Sequence, residues 1–276
     1  ATFEQRFFMD TTLNGSILWF YVGGEGPIDG LPVSSGSVLW DFASIFGGRV
    51  VYSEHRYYGK TLPFGANSWT RPNVAYLNMT QALRERIARF YREVYGAEVS
   101  PDRVIVTTGS SGGFPLAFLV SFDVGDRVAL AAPGYPAYRN ILTALNLETV
   151  DLPTSAADRY QPTVEALEKA GRIDGLIVAS PSNPTGTMVN RAELKVLADW
   201  CDARGVRLIS DEIYHGIVYE GETASAVEVT DSAIVVNSFS KYFSMTGWRV
   251  GWLVVPPDLV RPIERLTQNF FISVPT

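Results

Sequence analysis

The chain reads as an α/β protein built on a mainly parallel sheet with helices on both faces. Three observations predict this. From about Thr80 onward, short apolar runs alternate with stretches periodic at helical spacing. The runs are almost continuously apolar rather than alternating, as expected of strands covered on both faces. Most runs also end in a cluster of Gly, Ser, Pro or Asn, which is turn chemistry.

The elements follow in order. Phe3 to Met9, Ser16 to Val22 and Arg49 to Ser53 read as short strands in a Gly- and aromatic-rich opening. Leu83, Ile87, Phe90, Tyr91 and Val94 recur at helical spacing, with Gly96 as a stop. Strands are expected over 104–107, 128–132, 149–152, 176–179, 207–210, 234–237 and 250–255. Helices are expected between most of them, among them Arg191 to Arg204 and Leu259 to Asn269. Any domain boundary falls near residues 76–84, without a Pro/Gly/Ser linker to mark it.

Composition narrows the function. The chain has 276 residues, 46% apolar and 19% charged, which is globular composition. Lys plus Arg is 23 against 29 Asp plus Glu, a net charge of −6, and no basic run occurs. Nucleic-acid or anionic-membrane binding is therefore not its main task. No apolar stretch reaches the ~18–20 residues of a membrane-spanning helix. The one cysteine, Cys201, forms no internal disulfide, and no secretory leader is read at Ala1, so the expected location is cytoplasmic. No metal is expected.

Ligands of α/β sheets collect at the carboxyl ends of strands. The turns there carry a coherent set: Gly109-Ser110-Ser111-Gly112-Gly113, then Pro133-Gly134-Tyr135-Pro136-Ala137-Tyr138, then Ser180-Pro181-Ser182-Asn183-Pro184-Thr185-Gly186. Further on come Ser210-Asp211-Glu212-Ile213-Tyr214 and Asn237-Ser238-Phe239-Ser240-Lys241, with Gly247-Trp248-Arg249 just beyond. Singly, each has an ordinary reading: a solvated lysine, a helix-capping aspartate, a turn, a packing tyrosine, a surface arginine. Together, at successive strand ends, they read as a site.

This ordered set resembles the large-domain core of the class I/II, fold-type I aminotransferases that depend on pyridoxal 5′-phosphate, over about residues 84–276. The resemblance implies amino-group transfer from an amino acid to a 2-oxo acid. It implies that Lys241 holds the cofactor as a Schiff base and, once displaced, shuttles a proton. Asp211 would pair with the pyridine nitrogen, and Asn183 and Tyr214 would donate to the ring oxygen. Tyr135 would stack on the ring. Ser238, Ser240, Arg249 and the N–H groups of Gly109, Ser110 and Ser111 would hold the phosphate. Lys241, Asp211 and Tyr214 are thus the catalytic candidates. The resemblance also implies a homodimer.

Residues 1–83 differ. Phe3-Glu4-Gln5-Arg6-Phe7-Phe8, Gly23-Gly24-Glu25-Gly26-Pro27 and the run from Glu54-His55-Arg56-Tyr57-Tyr58-Gly59 to Gly65 resemble the opening of the serine carboxypeptidases that include Pro-X carboxypeptidase and dipeptidyl peptidase II. The simplest account is a chimera, with a peptidase-like head joined near Gln81–Arg84 to an aminotransferase core. Gly109–Gly113 also fits G-x-S-x-G, so an α/β-hydrolase-type serine peptidase using Ser111 is the alternative. His215 is the only histidine in chain order for it, whereas His55 reads as structural. A third reading is a non-catalytic fragment. Because the chain ends soon after Lys241, the expectation is that the C-terminal small domain, with its substrate-carboxylate arginine, is lacking. Cofactor binding should then outlast turnover.

Overall fold

The structure, a computed structural model, describes residues 80–270 in full, together with the backbone of 7–9, 18–22, 49–53 and 79. The Gly23–Pro27 and Glu54–Gly65 segments, including His55, lie outside the described residues. The chain forms two compact units, Ala1–Ala82 and Leu83–Thr276. In the first, β1 (Phe7–Met9), β2 (Leu18–Val22) and β3 (Arg49–Ser53) form a sheet in the order β1-β3-β2. There β1 runs antiparallel and β2 parallel to β3. The described strands fall inside the runs expected from sequence.

The helix α1 (Met79–Tyr95) leads into the second unit. There follow β4 (Val104–Thr107), α2 (Ser110–Ser121), β5 (Arg127–Ala132), α3 (Pro136–Ala144), β6 (Glu148–Pro153), α4 (Val164–Ala170) and β7 (Gly175–Ala179). The unit continues with α5 (Arg191–Arg204), β8 (Arg207–Asp211), β9 (Ile234–Ser238), β10 (Gly251–Val254) and α6 (Pro257–Phe270). Its seven strands lie in the order β4-β10-β9-β8-β7-β5-β6. Pairing is parallel throughout, except that β10 runs antiparallel to both β4 and β9. The α/β sheet, mainly parallel and covered on both faces, is the fold the sequence predicts.

The strands are continuously apolar because successive side chains feed two cores. Ala129, Leu176, Val178, Leu208, Val235, Trp252 and Val254 point to one face, where α1 contributes Ile87 and Tyr91 and α5 contributes Leu194, Leu197 and Cys201. Their neighbours Val128, Leu130, Ile177, Ile209, Ile234, Val236 and Leu253 point to the other, against Phe114 and Phe118 of α2, Leu142 of α3 and Ile263 of α6. This is the period of two of a pleated strand, with both phases apolar.

The helix α5 matches its expected span because its ends are chemically marked. Asn190 accepts the Glu193 N–H at 2.9 Å, and the Glu193 carboxylate accepts the Asn190 N–H at 2.8 Å. Gly205 closes the helix in the left-handed region, where a side chain would be strained. Strands β8 and β9 run one residue further than the sequence indicates, so Asp211 and Ser238 are their last residues rather than loop residues.

Candidate active site

Sheet order sets the chemistry-bearing residues in a row. Parallel strands end at one edge, ~4.8 Å apart. There β4 gives way to Gly109, Ser110 and Ser111. Antiparallel β10 starts at that same edge, Gly251 facing Thr107 on one side and Ser238 on the other, which brings Arg249 beside them. Next along the edge, β9 leads to Ser240 and Lys241, β8 ends on Asp211 ahead of Tyr214, β7 leads to Asn183, and β5 leads to Tyr135. A cavity of about 240 Å³ follows this edge. Ser110, Ser111, Tyr135, Asn183, Asp211, Tyr214, Ser240, Lys241 and Arg249 all line it, so every predicted site residue except Gly109 and Ser238 meets there.

The exceptions have local reasons. Gly109 sits at φ +75°, and its N–H donates to the Thr107 carbonyl at 2.9 Å. Its part is to leave room: a Cβ there would lie 2.7 Å from Nη2 of Arg249. Ser238 is buried beneath the turn, and its hydroxyl accepts the Ser240 N–H at 3.1 Å, shaping the segment that presents Ser240 and Lys241. Gly251 completes the close approach. A Cβ there would lie 2.7 Å from the Gly109 carbonyl carbon and 2.9 Å from the Asn237 oxygen.

One end of the cavity is cationic and rich in donors. Arg249 is half-buried in the left-handed region, with Nη1 donating to the Thr246 carbonyl at 3.1 Å. The helix α2 opens at Ser110, and the first N–H groups of a helix have no acceptor within it. Together they suit a phosphate. Further along the edge stands an acid. Asp211 is buried, accepts the Ile213 N–H at 3.1 Å on Oδ1, and accepts the Tyr138 hydroxyl on Oδ2. Burial pushes its carboxyl up to about 6, against the pull of those two donors. On the strand between those carrying Arg249 and Asp211, β9 leads to Lys241, exposed, with Nζ 5.6 Å from the centre of the Tyr214 ring.

Pyridoxal 5′-phosphate has its phosphate, its reactive carbonyl with the neighbouring phenolic oxygen, and its basic ring nitrogen in that sequence. Along the edge the cavity offers cation and hydroxyls, then amine, then carboxylate with phenol, then amide, so each group of the cofactor has a partner of matching chemistry. The donor set therefore fits this group. Among the described residues no group of His, Cys, Asp and Glu is placed to hold a metal ion.

Some residues around the site carry no role in the sequence reading. Tyr138, buried on the first turn of α3, supplies the second donor to Asp211, and burial beside that carboxylate raises its phenol well above the ordinary value. The available clue is its place in the same turn motif as Tyr135, whose ring it meets edge-on at 5.3 Å. Glu212 is also buried, its carboxyl pushed up to about 7, and it accepts from the Ala226 N–H, the Ser225 hydroxyl and the Ser210 hydroxyl at 2.8, 2.7 and 3.1 Å. It pins the end of β8 from the side away from the cavity. His215, the base the hydrolase reading needs, does not line the cavity that Ser111 lines. Its ring nitrogens are engaged by the Tyr95 hydroxyl at 2.7 Å and the Ser180 carbonyl at 2.9 Å.

Two family models match the chain. The class I and II aminotransferase model matches residues 68–276, and the serine carboxypeptidase S28 model matches residues 1–119. The peptidase match thus runs past the expected junction and through the Gly109–Gly113 turn, where the two matches overlap. The valine–pyruvate aminotransferase of Mycobacterium tuberculosis is 55% identical over 196 residues, covering 70% of this chain and 50% of that protein. The (5-formylfuran-3-yl)methyl phosphate transaminase of Methanocaldococcus jannaschii is 38% identical over 199 residues, again 70% and 50%. A crystal structure of an aminotransferase from Mycobacterium tuberculosis superposes with a TM-score of 0.69 at 51% identity, covering 74% of this chain and 59% of that one. The chain spans about half the length of the curated relatives it matches. With the family model covering most of the chain and the sheet order placing its motifs along one edge, the chain belongs to the class I and II aminotransferases.

Proposed function

We propose that this chain holds pyridoxal 5′-phosphate through Lys241 and transfers an amino group from an amino acid to a 2-oxo acid. The observation that carries the reading is the ordered row of cation, amine and carboxylate along one sheet edge, lining one cavity. When bound, the cofactor supplies an electron sink for the substrate carbon that loses its proton. Arg249, Ser110, Ser111 and Ser240 bind the phosphate, with Gly109 and Ser238 shaping the turns that present them. Asp211 holds a proton at the ring nitrogen, and a cation there favours its ionised form. Asn183 and Tyr214 donate to the phenolic oxygen, and Tyr135 packs on the ring. With the substrate amine in its place, Lys241 Nζ would be the base that takes the proton from the substrate α-carbon and the acid that returns it.

The proposal divides the chain into a serine-carboxypeptidase-like segment, 1–83, and the aminotransferase-like large domain, 84–276. It includes a homodimer, supported by the half-exposed rings of Tyr242 and Trp248 next to Lys241 and Arg249, and a cytoplasmic location, in keeping with the buried free thiol of Cys201. Among the described residues no helix is long and apolar enough to cross a membrane.

Incubation with pyridoxal phosphate, borohydride reduction and peptide mass analysis tests the reading. The cofactor mass should appear on the Lys241 peptide and vanish in Lys241→Ala, together with amino transfer. Reduction that labels other lysines while sparing Lys241 refutes it. The hydrolase reading has one observation in its favour, the peptidase match through Ser111, and against it the engaged ring of His215.

A further inference from the structure

Beyond the cavity wall, His215 occupies a junction that the proposed chemistry leaves unexplained. It is 5% exposed and follows Tyr214 directly. Its Nε2 lies 2.9 Å from the carbonyl of Ser180, which opens the turn carrying Asn183. Its Nδ1 lies 2.7 Å from the hydroxyl of Tyr95, at the end of α1. A carbonyl only accepts, so Nε2 carries the hydrogen. A neutral ring then has a bare Nδ1, which the Tyr95 hydroxyl fills by donating. The surroundings keep the ring neutral. Burial lowers its pKa to about 4, although Glu212 Oε2 stands 3.6 Å from Nδ1 and Glu228 adds a second negative charge.

Both partners are themselves anchored. Tyr95 packs edge-on against Phe90, and on the preceding turn Tyr91 accepts the Trp252 indole N–H at 3.0 Å, which fixes α1 to β10. The Ser180 N–H donates to the Asp211 carbonyl at 3.2 Å, and its hydroxyl accepts the Val189 N–H at 3.1 Å. The imidazole is thus a rigid link between the Tyr214 turn and the Ser180–Asn183 turn.

We propose that His215 is a positioning residue: held as the Nε2–H tautomer by the Ser180 carbonyl and braced on its other side by Tyr95, it sets the spacing between Tyr214 and Asn183, the two side chains assigned to the cofactor's phenolic oxygen. The inference rests on the cofactor reading above. Two donors on that oxygen stabilise its deprotonated form and lower the pH at which the neighbouring lysine-linked nitrogen loses its proton. Spreading the donors raises that pH.

The test has two readouts. The chain contains two histidines, so imidazole nitrogen-15 spectra of the cofactor-free protein are simple to assign by the signals lost in His215→Gln. His215 should show the Nε2–H pattern across roughly pH 6 to 8. In the cofactor-loaded protein, His215→Leu should raise the pH midpoint of the visible absorption change by roughly one unit. His215→Gln, which can still donate to Ser180 and accept from Tyr95, should leave the midpoint near that of the parent. Tyr95→Phe should keep the Nε2–H tautomer, which the Ser180 carbonyl requires, but free the ring on its Nδ1 side and move the midpoint the same way by a smaller amount, and it serves as the comparison if His215→Leu does not fold. A protonated or Nδ1–H ring, or a midpoint unmoved in both His215→Leu and Tyr95→Phe, overturns the inference. A parent protein that develops no visible band refutes the cofactor reading instead.

Discussion

Asp211→Asn should make the cofactor-free protein more stable while weakening its hold on the cofactor. Burial raises the Asp211 carboxyl from 3.8 to about 6, a displacement of about two pH units. At roughly 1.4 kcal/mol per unit, the ionised side chain costs the folded state about 3 kcal/mol. The sign follows from proton counting. The folded pKa lies above the unfolded one, so the folded state holds more protons between them. Stability is therefore lost as pH rises through 3.8 to about 6, and the cost is complete above that window. Asparagine carries no charge, and its carbonyl oxygen can keep either the Tyr138 hydroxyl or the Ile213 N–H, both of which donate to the carboxylate now. With the oxygen kept on the Ile213 N–H, the new amide nitrogen faces the Tyr138 hydroxyl, whose oxygen can accept from it.

Urea unfolding of both cofactor-free proteins across that range is the assay. The difference in unfolding free energy should be near zero at the acid end and rise to about 1–3 kcal/mol in favour of Asp211→Asn near neutrality. Glu212, raised from 4.5 to about 7, loses a neighbouring negative charge in the variant, which eases its own ionisation and adds to the difference in the same direction. Pyridoxal phosphate should then reverse the order, because stabilisation by a ligand grows with its affinity for the folded state. A variant no more stable than the parent at neutral pH would refute the reasoning. It would mean that the two donors already offset the burial of the charge.

Gly251→Ala should cost about 1–3 kcal/mol in urea unfolding and weaken pyridoxal phosphate binding, because its Cβ would meet the backbone of Gly109 and Asn237, which cannot swing away. Unchanged affinity would show that Arg249 does not depend on this close approach. A fluorophosphonate probe should leave Ser111 unmodified, since a hydroxyl without a base is a weak nucleophile; stoichiometric labelling lost in Ser111→Ala would revive the hydrolase reading. Asn190→Ala should remove about 1 kcal/mol by opening the reciprocal cap of α5, leaving the cofactor spectrum unchanged.

What the sequence reveals about this site depends on the distance over which each contact is made. The residues lining the cavity follow apolar runs directly, so the end of each run marks the edge at which Ser110, Asn183, Asp211 and Lys241 appear. The helix α5 is legible for the same reason, since Asn190, Glu193 and Gly205 mark its ends within one stretch of chain. Strand direction is not written locally. The run forming β10 looks like any other, yet its antiparallel insertion between β4 and β9 is what brings Arg249 to Ser110. Tyr138 stands in a quoted motif without a role because its partner Asp211 is reached only through the pairing of β5 with β7 and β7 with β8. His215 falls in chain order for a triad, and only the fold shows Tyr95 and Ser180 on either side of it. The residues assigned here to contact the cofactor are thus readable from where strands end, whereas those that orient them come from other elements of the fold. A substitution at His215 can therefore leave every motif of the family intact and still disturb the spacing on which the motifs depend.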